Sequence, residues 1–418
     1  MALASTGSAG ASNNALLAVH CDGPLATERV TRSLDRLLDV CPWPAARLRR
    51  PIPWGKLHWA AGRRSALARP PVHQRAVATP DAFRQAVEGE LNAAIDPRRE
   101  APLRFLILDE APPKTGGAGS ILVMTWFHPL MDPRGAQNLL HHLDHLDAHP
   151  DDAPWGTAVP AFTTAPDARP FRERGRLARK SLEHMRSVSR LPSVAARAGR
   201  AGPVRFRQES FVERDPLADR DRTTRDIWWR LAVVGKAMRE IRAGPDIPFL
   251  LPVAVDLRPK GEPGPSFGNM LAFHFARFRP SDTADIPRLA SALRTQMADA
   301  VRQGQIEAND VAMTFLQYRP LSMIRRAVRS IPGGDAFSFN CADVADFPAV
   351  LTRCFGRRVV NAYHVPAVPP RPGVGVFFNR CAGRNNLVVA WIEGVLSQDD
   401  VSRVVEIVRE EMGWLGTP

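Results

Sequence analysis

Two residues whose types and spacing could do chemistry stand out, His128 and Asp132, set as H-x-x-x-D inside Ile121–Leu146, ILVMTWFHPLMDPRGAQNLLHHLDHL. The seven residues before His128 are apolar or β-branched and read as a buried strand. Two breakers, Pro133 and Gly135, open a turn, and an amphipathic run follows that reads as a helix. An imidazole delivered into a turn by a buried strand is held rigidly, which suits a general base. A carboxylate four residues later can steady the turn or the ring. The same pair also fits a loop histidine beside a loop aspartate, so its surroundings must decide.

A second group of polar residues lies about 125 residues further on. Phe249–Asp256 reads as a strand, followed by Leu257-Arg258-Pro259 and, after a proline- and glycine-rich loop, by Phe267-Gly268-Asn269-Met270 and the strand Leu271–Phe278. A Gly-Asn turn between strands allows close backbone approach and offers an amide. Asn269 could give that amide to a ligand or spend it on its own turn. Later, Asp335–Asp343 (DAFSFNCAD) carries Asn340. The helix after His128 holds His141, His142, His145 and His149. His141 and His145 share a face and could bind a metal, or the face is simply solvated. It is not HExxH, because His142 occupies the glutamate position. There is no GxSxG, no GxGxxG and no GxxxxGK, which sets aside the hydrolase elbow, the dinucleotide fingerprint and the phosphate loop.

The elements that must position these groups follow from periodicity. At 418 residues and 44% apolar the chain has material for two lobes of similar size. Ala15–His20 reads as a first strand and Ala26–Val40 as a helix with Val30, Leu34, Leu37 and Leu38 on one face. Leu57–Ala60, Val72–Ala78 and Pro102–Asp109 read as strands, and a helix begins at Thr79-Pro80-Asp81. In the second half, helices are expected at Ile227–Ile241, at Ile286–Ile306, at Asn309–Arg329 and at Gln398–Met412. A β-pair is expected over Val374–Phe378 and Leu387–Glu393, joined across Asn379–Asn386. Five scattered cysteines without CxxC spacing argue against a disulfide framework or zinc site. The N-terminus has neither the basic nor the apolar region of a signal peptide, and no run is long enough to span a bilayer. A cytoplasmic protein is expected. The net charge of +13 suits anionic ligands or surfaces. Nucleic acid is the weaker reading, since no zinc knuckle, RNP-type stretch or helix-turn-helix is recognisable. The arginine-rich stretch Phe171–Arg207 fits either a helix on the anionic inner face of a membrane or a crossover between lobes.

HPLMDPRG resembles the HHxxxDG-type motif of the chloramphenicol-acetyltransferase-like superfamily of acyltransferases, which includes condensation domains. The order PVAVDLRP…FGN is similar to that superfamily's second motif region, and the wax ester synthase/diacylglycerol acyltransferase branch looks nearest. The resemblance implies an α/β (α+β) fold of two similar lobes, each a mixed sheet backed by helices, with a channel between them. It implies a flexible tail over 1–14, lobes over 15–165 and 211–418, and a basic crossover over 166–210. It makes His128 the base that deprotonates a hydroxyl or amine acceptor (a small molecule or lipid) attacking an acyl thioester. The donor would be acyl-CoA or a phosphopantetheine thioester on an acyl-carrier protein, with no tightly bound cofactor and no metal. Asp132 would be architectural, paired with Arg258 or with Arg47 or Arg49. Asn269, Gly135 and Asn340 would line the substrate or oxyanion site. The sequence departs from the pattern at Phe127, where many members carry a first histidine, and at Pro133, where glycine usually follows the aspartate. A silent relative that only binds a ligand is the other reading these departures keep open.

Overall fold

In the computed structural model the described residues are 13–51, 55–61, 69–110, 119–152, 168–186, 202–213, 227–242, 244, 246–258, 266–320, 322–323, 326, 337–344, 346–347 and 351–416. The strands of the first half are Asn14–Cys21 (β1), Arg47–Arg49 (β2), His58–Ala60 (β3), Val72–Val77 (β4), Leu103–Glu110 (β5) and Ser120–Phe127 (β6). Those of the second are Val204–Glu213 (β7), Phe249–Asp256 (β8), Leu271–Phe278 (β9), Asn340–Asp343 (β10), Arg353–Cys354 (β11), Arg357–Val365 (β12), Val374–Cys381 (β13), Arg384–Ile392 (β14) and Trp414–Gly416 (β15). The helices are Thr27–Val40 (α1), Pro80–Asn92 (α2), Pro133–Ala148 (α3), Phe171–Arg186 (α4), Ile227–Ile241 (α5), Ile286–Arg302 (α6), Gln305–Leu316 (α7) and Gln398–Met412 (α8).

Two mixed sheets backed by helices organise the chain, as expected. The first has the order β11-β12-β1-β6-β5-β4, the second β10-β13-β14-β7-β15, and β8 and β9 form a separate pair. Every residue of β6 is buried, as its run of apolar and β-branched residues requires for a strand covered on both faces. The helices show the complementary pattern. In α1 the buried apolar positions are Val30, Leu34, Leu37 and Leu38, one stripe turned to the sheet. Ser397 caps α8 by accepting from the Asp400 N–H, and Thr79 caps α2 by accepting from the Ala82 N–H.

Four expectations need correction. Val204–Glu213 lies within or beside the stretch read as basic crossover, yet it is a strand of the second sheet, paired with β14 and β15. Its arginines leave the core for carboxylates, Arg205 reaching Glu88 and Glu393 and Arg207 reaching Glu209. Arg357–Val365 was not read as an element, and it completes the first sheet by pairing with β1. Neither sheet is therefore confined to 15–165 or to 211–418. The helix expected to run to Ile306 ends at Arg302, because Gly304 takes a left-handed φ of 63° and the next helix starts at Gln305 rather than Asn309. Asn379–Asn386 is no loop: Asn379 pairs with Asn386 inside the β13–β14 hairpin, whose turn is at Ala382 and Gly383.

Those asparagines form a seam between the sheets. Asn386 donates to Asn361 Oδ1 (2.9 Å) and to the Ala362 carbonyl (3.0 Å), and Asn379 donates to the same carbonyl (2.8 Å). Ser210 donates to Asn386 Oδ1 at 2.7 Å. Buried amides are costly unless every group finds a partner, and here the partners come from both sheets. The basic helix α4 packs on α7: Ser181, buried, donates to Asn309 Oδ1 at 2.8 Å, and Phe171 meets Phe315 edge-on at 5.9 Å. The remainder of the basic stretch, 187–201, and the helix start at Thr223–Asp226 lie outside the described residues.

Candidate active site

β6 ends at Phe127, and His128 opens a single 3-10 turn to Leu130. Three contacts hold that turn. The His128 N–H donates to the Asn13 carbonyl (2.8 Å), the Trp126 indole N–H donates to the Met131 carbonyl (2.9 Å), and Leu130 and Met131 are buried in the core. Phe127, where a first histidine could have stood, is fully buried and packs against Trp59. It is a core residue and offers no second imidazole.

His128 itself is half-buried, and its Nδ1 is buried with no hydrogen-bond partner among the described residues. Burial pushes its pKa below the ordinary imidazole value, against the opposing pull of the Met131 backbone and the Asp132 carboxylate. The ring is thereby kept neutral near pH 7, the form that can take a proton.

Asp132 is fully buried and makes four hydrogen bonds. As the N-cap of α3 it accepts from the Gly135 N–H through Oδ1 at 2.8 Å. Arg258 Nη2 donates to Oδ1 at 2.9 Å and to Oδ2 at 3.0 Å. The Met270 N–H donates to Oδ2 at 2.8 Å. A buried carboxylate is tolerated only with such a partner set, and of the three arginine candidates it is Arg258 that supplies it. Arg258 is held in turn by Asp256 Oδ1 (3.0 Å) and by the Gly268 carbonyl (3.0 Å). One carboxylate thus fastens the start of α3 to both ends of the β8–β9 connection. Pro133 fits this arrangement, because the first helical position needs no N–H and favours the fixed proline φ.

The other expected site residues divide. Gly135 is a packing residue: a Cβ there would overlap the Phe267 carbonyl oxygen and lie 2.9 Å from its carbon. Its N–H is committed to the Asp132 carboxylate. Asn269 sits between Gly268 and Met270, both engaged by the clamp, and its own side chain is exposed. Asn340 opens β10, opposite Gly375 on β13, and is half-buried. Several neighbours were not legible in advance. Asn138 donates to the Ser266 carbonyl (3.0 Å), Arg134 donates to Gln137 Oε1 (2.9 Å) and the Asp346 carbonyl (3.3 Å), and Gln137 meets the buried His364 ring at 3.2 Å. Their spacing on α3 was visible, but their partners outside the helix sit 128 to 227 residues away. A cleft of about 790 Å³ opens between α2 and the β7–β14 edge, lined by Phe83, Arg84, Arg205, Phe206, Tyr363 and Trp391 among others; His128 is not on its wall.

Of the helix histidines, His141 is exposed and His142 is buried against Phe267. All five cysteines are buried and free. Among the described residues no helix is long and apolar enough to cross a membrane.

No family model and no curated protein matches the sequence. Solved structures do match over nearly the whole chain. The first condensation domain of the calcium-dependent antibiotic synthetase, in complex with a substrate analogue, superposes with a TM-score of 0.66 at 14% identity, covering 96% of this chain and 91% of that one. Polyketide synthase associated protein 5 from Mycobacterium tuberculosis gives 0.62 at 15%, covering 95% and 93%. The chain has the condensation-domain fold. The starter condensation domain of the rhizomide synthetase gives 0.58 at 13%, covering 96% and 91%. At such identities the likeness shows the fold alone, and it does not single out the wax ester synthase branch.

Proposed function

We propose that the protein is an acyltransferase that moves an acyl group from a thioester to a hydroxyl or amine, with His128 as the base. The observation that carries this reading is the pairing of a half-buried imidazole at the end of β6, its pKa lowered by burial, with an Asp132 that is wholly absorbed in structure. Asp132 spends all its capacity on Gly135, Arg258 and Met270, so His128 is the proton acceptor left at this corner. In the reaction the imidazole takes the acceptor's proton as its oxygen or nitrogen attacks the thioester carbonyl. The proton then passes to the departing thiolate as the tetrahedral intermediate collapses. The negative oxygen of that intermediate needs a donor; the exposed Asn269 amide, on a turn fixed at both flanking residues, is the candidate.

Between donors, a phosphopantetheine thioester on a carrier protein is favoured over free acyl-CoA. What supports it is the company of the fold: condensation domains of two synthetases and a polyketide synthase associated protein. The net charge of +13 suits either anionic donor. A lipid acceptor and contact with an anionic membrane rest on the exposed Phe171, Leu182 and arginines of α4.

The test is thioester turnover by the purified chain and by His128→Ala, with acyl-CoA and acyl-carrier donors of several lengths and mixed alcohols and amines. Thiol release and products would be followed by mass spectrometry. Acceptor-dependent product that disappears in the variant supports the reading. Equal product from both proteins removes His128 from the mechanism, and no product from either with any donor favours a silent, ligand-binding relative.

A further inference from the structure

The far end of α3 gathers a second set of residues with lone pairs. His145 and His149, one turn apart, lie on one helix face, and Asp152 comes back to them from the turn that follows. Candidate ligand atoms of the three all lie within 4.8 Å of one another. His145 Nε2 and Asp152 Oδ2 are 3.7 Å apart, and the two imidazole centroids are 4.4 Å apart. A tetrahedral zinc ion with bonds of about 2.0–2.1 Å sets its ligand atoms about 3.3–3.4 Å apart. The side chains of His145 and Asp152 are 43% and 56% exposed, so closing the remaining gap meets little packing resistance.

Two further observations point to an ion. His149 Nδ1 lies 3.1 Å from the His145 carbonyl. An Nδ1–H donated there fixes the tautomer and leaves Nε2 as the free lone pair, the backing that metal-binding imidazoles use. The turn bearing Asp152 is also pinned from outside. Arg36 of α1 donates to the carbonyls of Leu146, of His149 (3.1 Å) and of Asp152 (2.7 Å), and the Asp152 N–H donates to the His149 carbonyl (3.2 Å). The guanidinium is spent on backbone oxygens, so the backbone carrying the ligands is ordered before an ion arrives, which lowers the cost of binding.

We propose that His145, His149 and Asp152 bind a divalent transition cation of the zinc class, with water completing the shell. Two imidazoles and one carboxylate favour such an ion over magnesium or calcium, which take oxygen ligands. The site stands roughly 20–25 Å from Asp132 along the helix and does not depend on the acyl-transfer reading. Its effect would be to fasten the end of α3 to the following turn and, through Arg36, to α1.

The experiment uses the untagged full chain, stripped with a chelator and titrated with zinc chloride by calorimetry, and with cobalt(II) by visible absorption. One equivalent should bind saturably, with cobalt bands of a tetrahedral or five-coordinate N/O site. His149→Ala and Asp152→Asn should each weaken binding by at least about tenfold. His141→Ala, one turn earlier and outside the cluster, should leave it unchanged. The thermal midpoint should rise by about 2 °C or more on zinc addition to the parent chain and not in the two ligand variants. Absence of saturable uptake overturns the site, and so does uptake insensitive to both ligand variants or lost equally in His141→Ala. Circular dichroism of each metal-free variant confirms that a loss reflects ligands rather than unfolding.

Discussion

The two ends of α3 carry the same residue types in opposite surroundings. At the start, Asp132 is fully buried and every lone pair it has is engaged, while at the finish Asp152 keeps a 56% exposed side chain and a 3.7 Å approach to His145. At the start the carboxylate is a structural rivet and leaves the chemistry to His128. At the finish the backbone is pinned but the side-chain lone pairs remain available to a ligand. The difference teaches that residue type and spacing name candidates, and that the fate of the lone pairs decides among them.

Substitutions can break this contrast at graded cost. His128→Ala should lower acceptor-dependent turnover by about 10²–10⁴-fold with an unchanged melting temperature, since no hydrogen bond to its ring Nδ1 is lost; steady-state kinetics and calorimetry check both halves. Arg258→Met leaves the Asp132 carboxylate buried without its cation and should cost about 3–5 kcal/mol in urea unfolding. If the loss is within the range of a surface substitution, the clamp is not what holds the two regions together. Gly135→Ala must displace the Phe267 carbonyl and should cost about 1–3 kcal/mol.

A pH series sharpens the same contrast. Burial lowers His20 and His274 to about 4 and His364 to about 3, helped by the nearby Arg384, His184 and Arg134 respectively. Unfolded, each would titrate near 6.5, so between 6.5 and these values the unfolded chain binds more protons. Their contribution is complete above pH 6.5 and is lost as pH falls toward 4 and then 3. Urea midpoints at pH 7, 6 and 5 should fall in that order, and His364→Gln should flatten the slope. The acid limb of the rate should likewise lie below 6.5, because His128 is shifted the same way. The smallest effect belongs to the far end: His145→Ala without metal should change stability by no more than about 0.5 kcal/mol.

Much of this was legible in the chain because local pattern and burial agree there. β6, α1, α5 and α8 have clean apolar periods, and the motif residues follow from strand, breaker and helix in sequence. β7 was masked by its arginines: Val204 and Phe206 alternate inward, but Arg205 and Arg207 make the segment look like surface until Glu88, Glu209 and Glu393 are known to wait for them. The hairpin of β13 and β14 hid in the same way, since asparagine suggests a turn unless a second sheet supplies partners. Arg258 was one of three candidates for Asp132, and the Met270 N–H was not foreseen, because backbone donors carry no residue signature. The helix histidines were paired as His141 with His145, whereas the turn after α3 brings His149 and Asp152 to His145 instead.

The pairing of β1 with β12 has a consequence for synthesis on the ribosome. β1 gains β6 as a neighbour once residue 127 has emerged, but its other edge waits for Arg357–Val365. At about 5–20 residues per second that interval lasts roughly 10–45 s. Throughout it the nascent chain presents an open row of backbone donors and acceptors, beside side chains as apolar as Leu16, Leu17 and Val19, and such an edge invites pairing with other chains. Slow elongation through the arginine-rich middle would lengthen that exposure, so recombinant yield should respond to the speed of translation and to chaperone supply more than the stability of the finished fold would suggest.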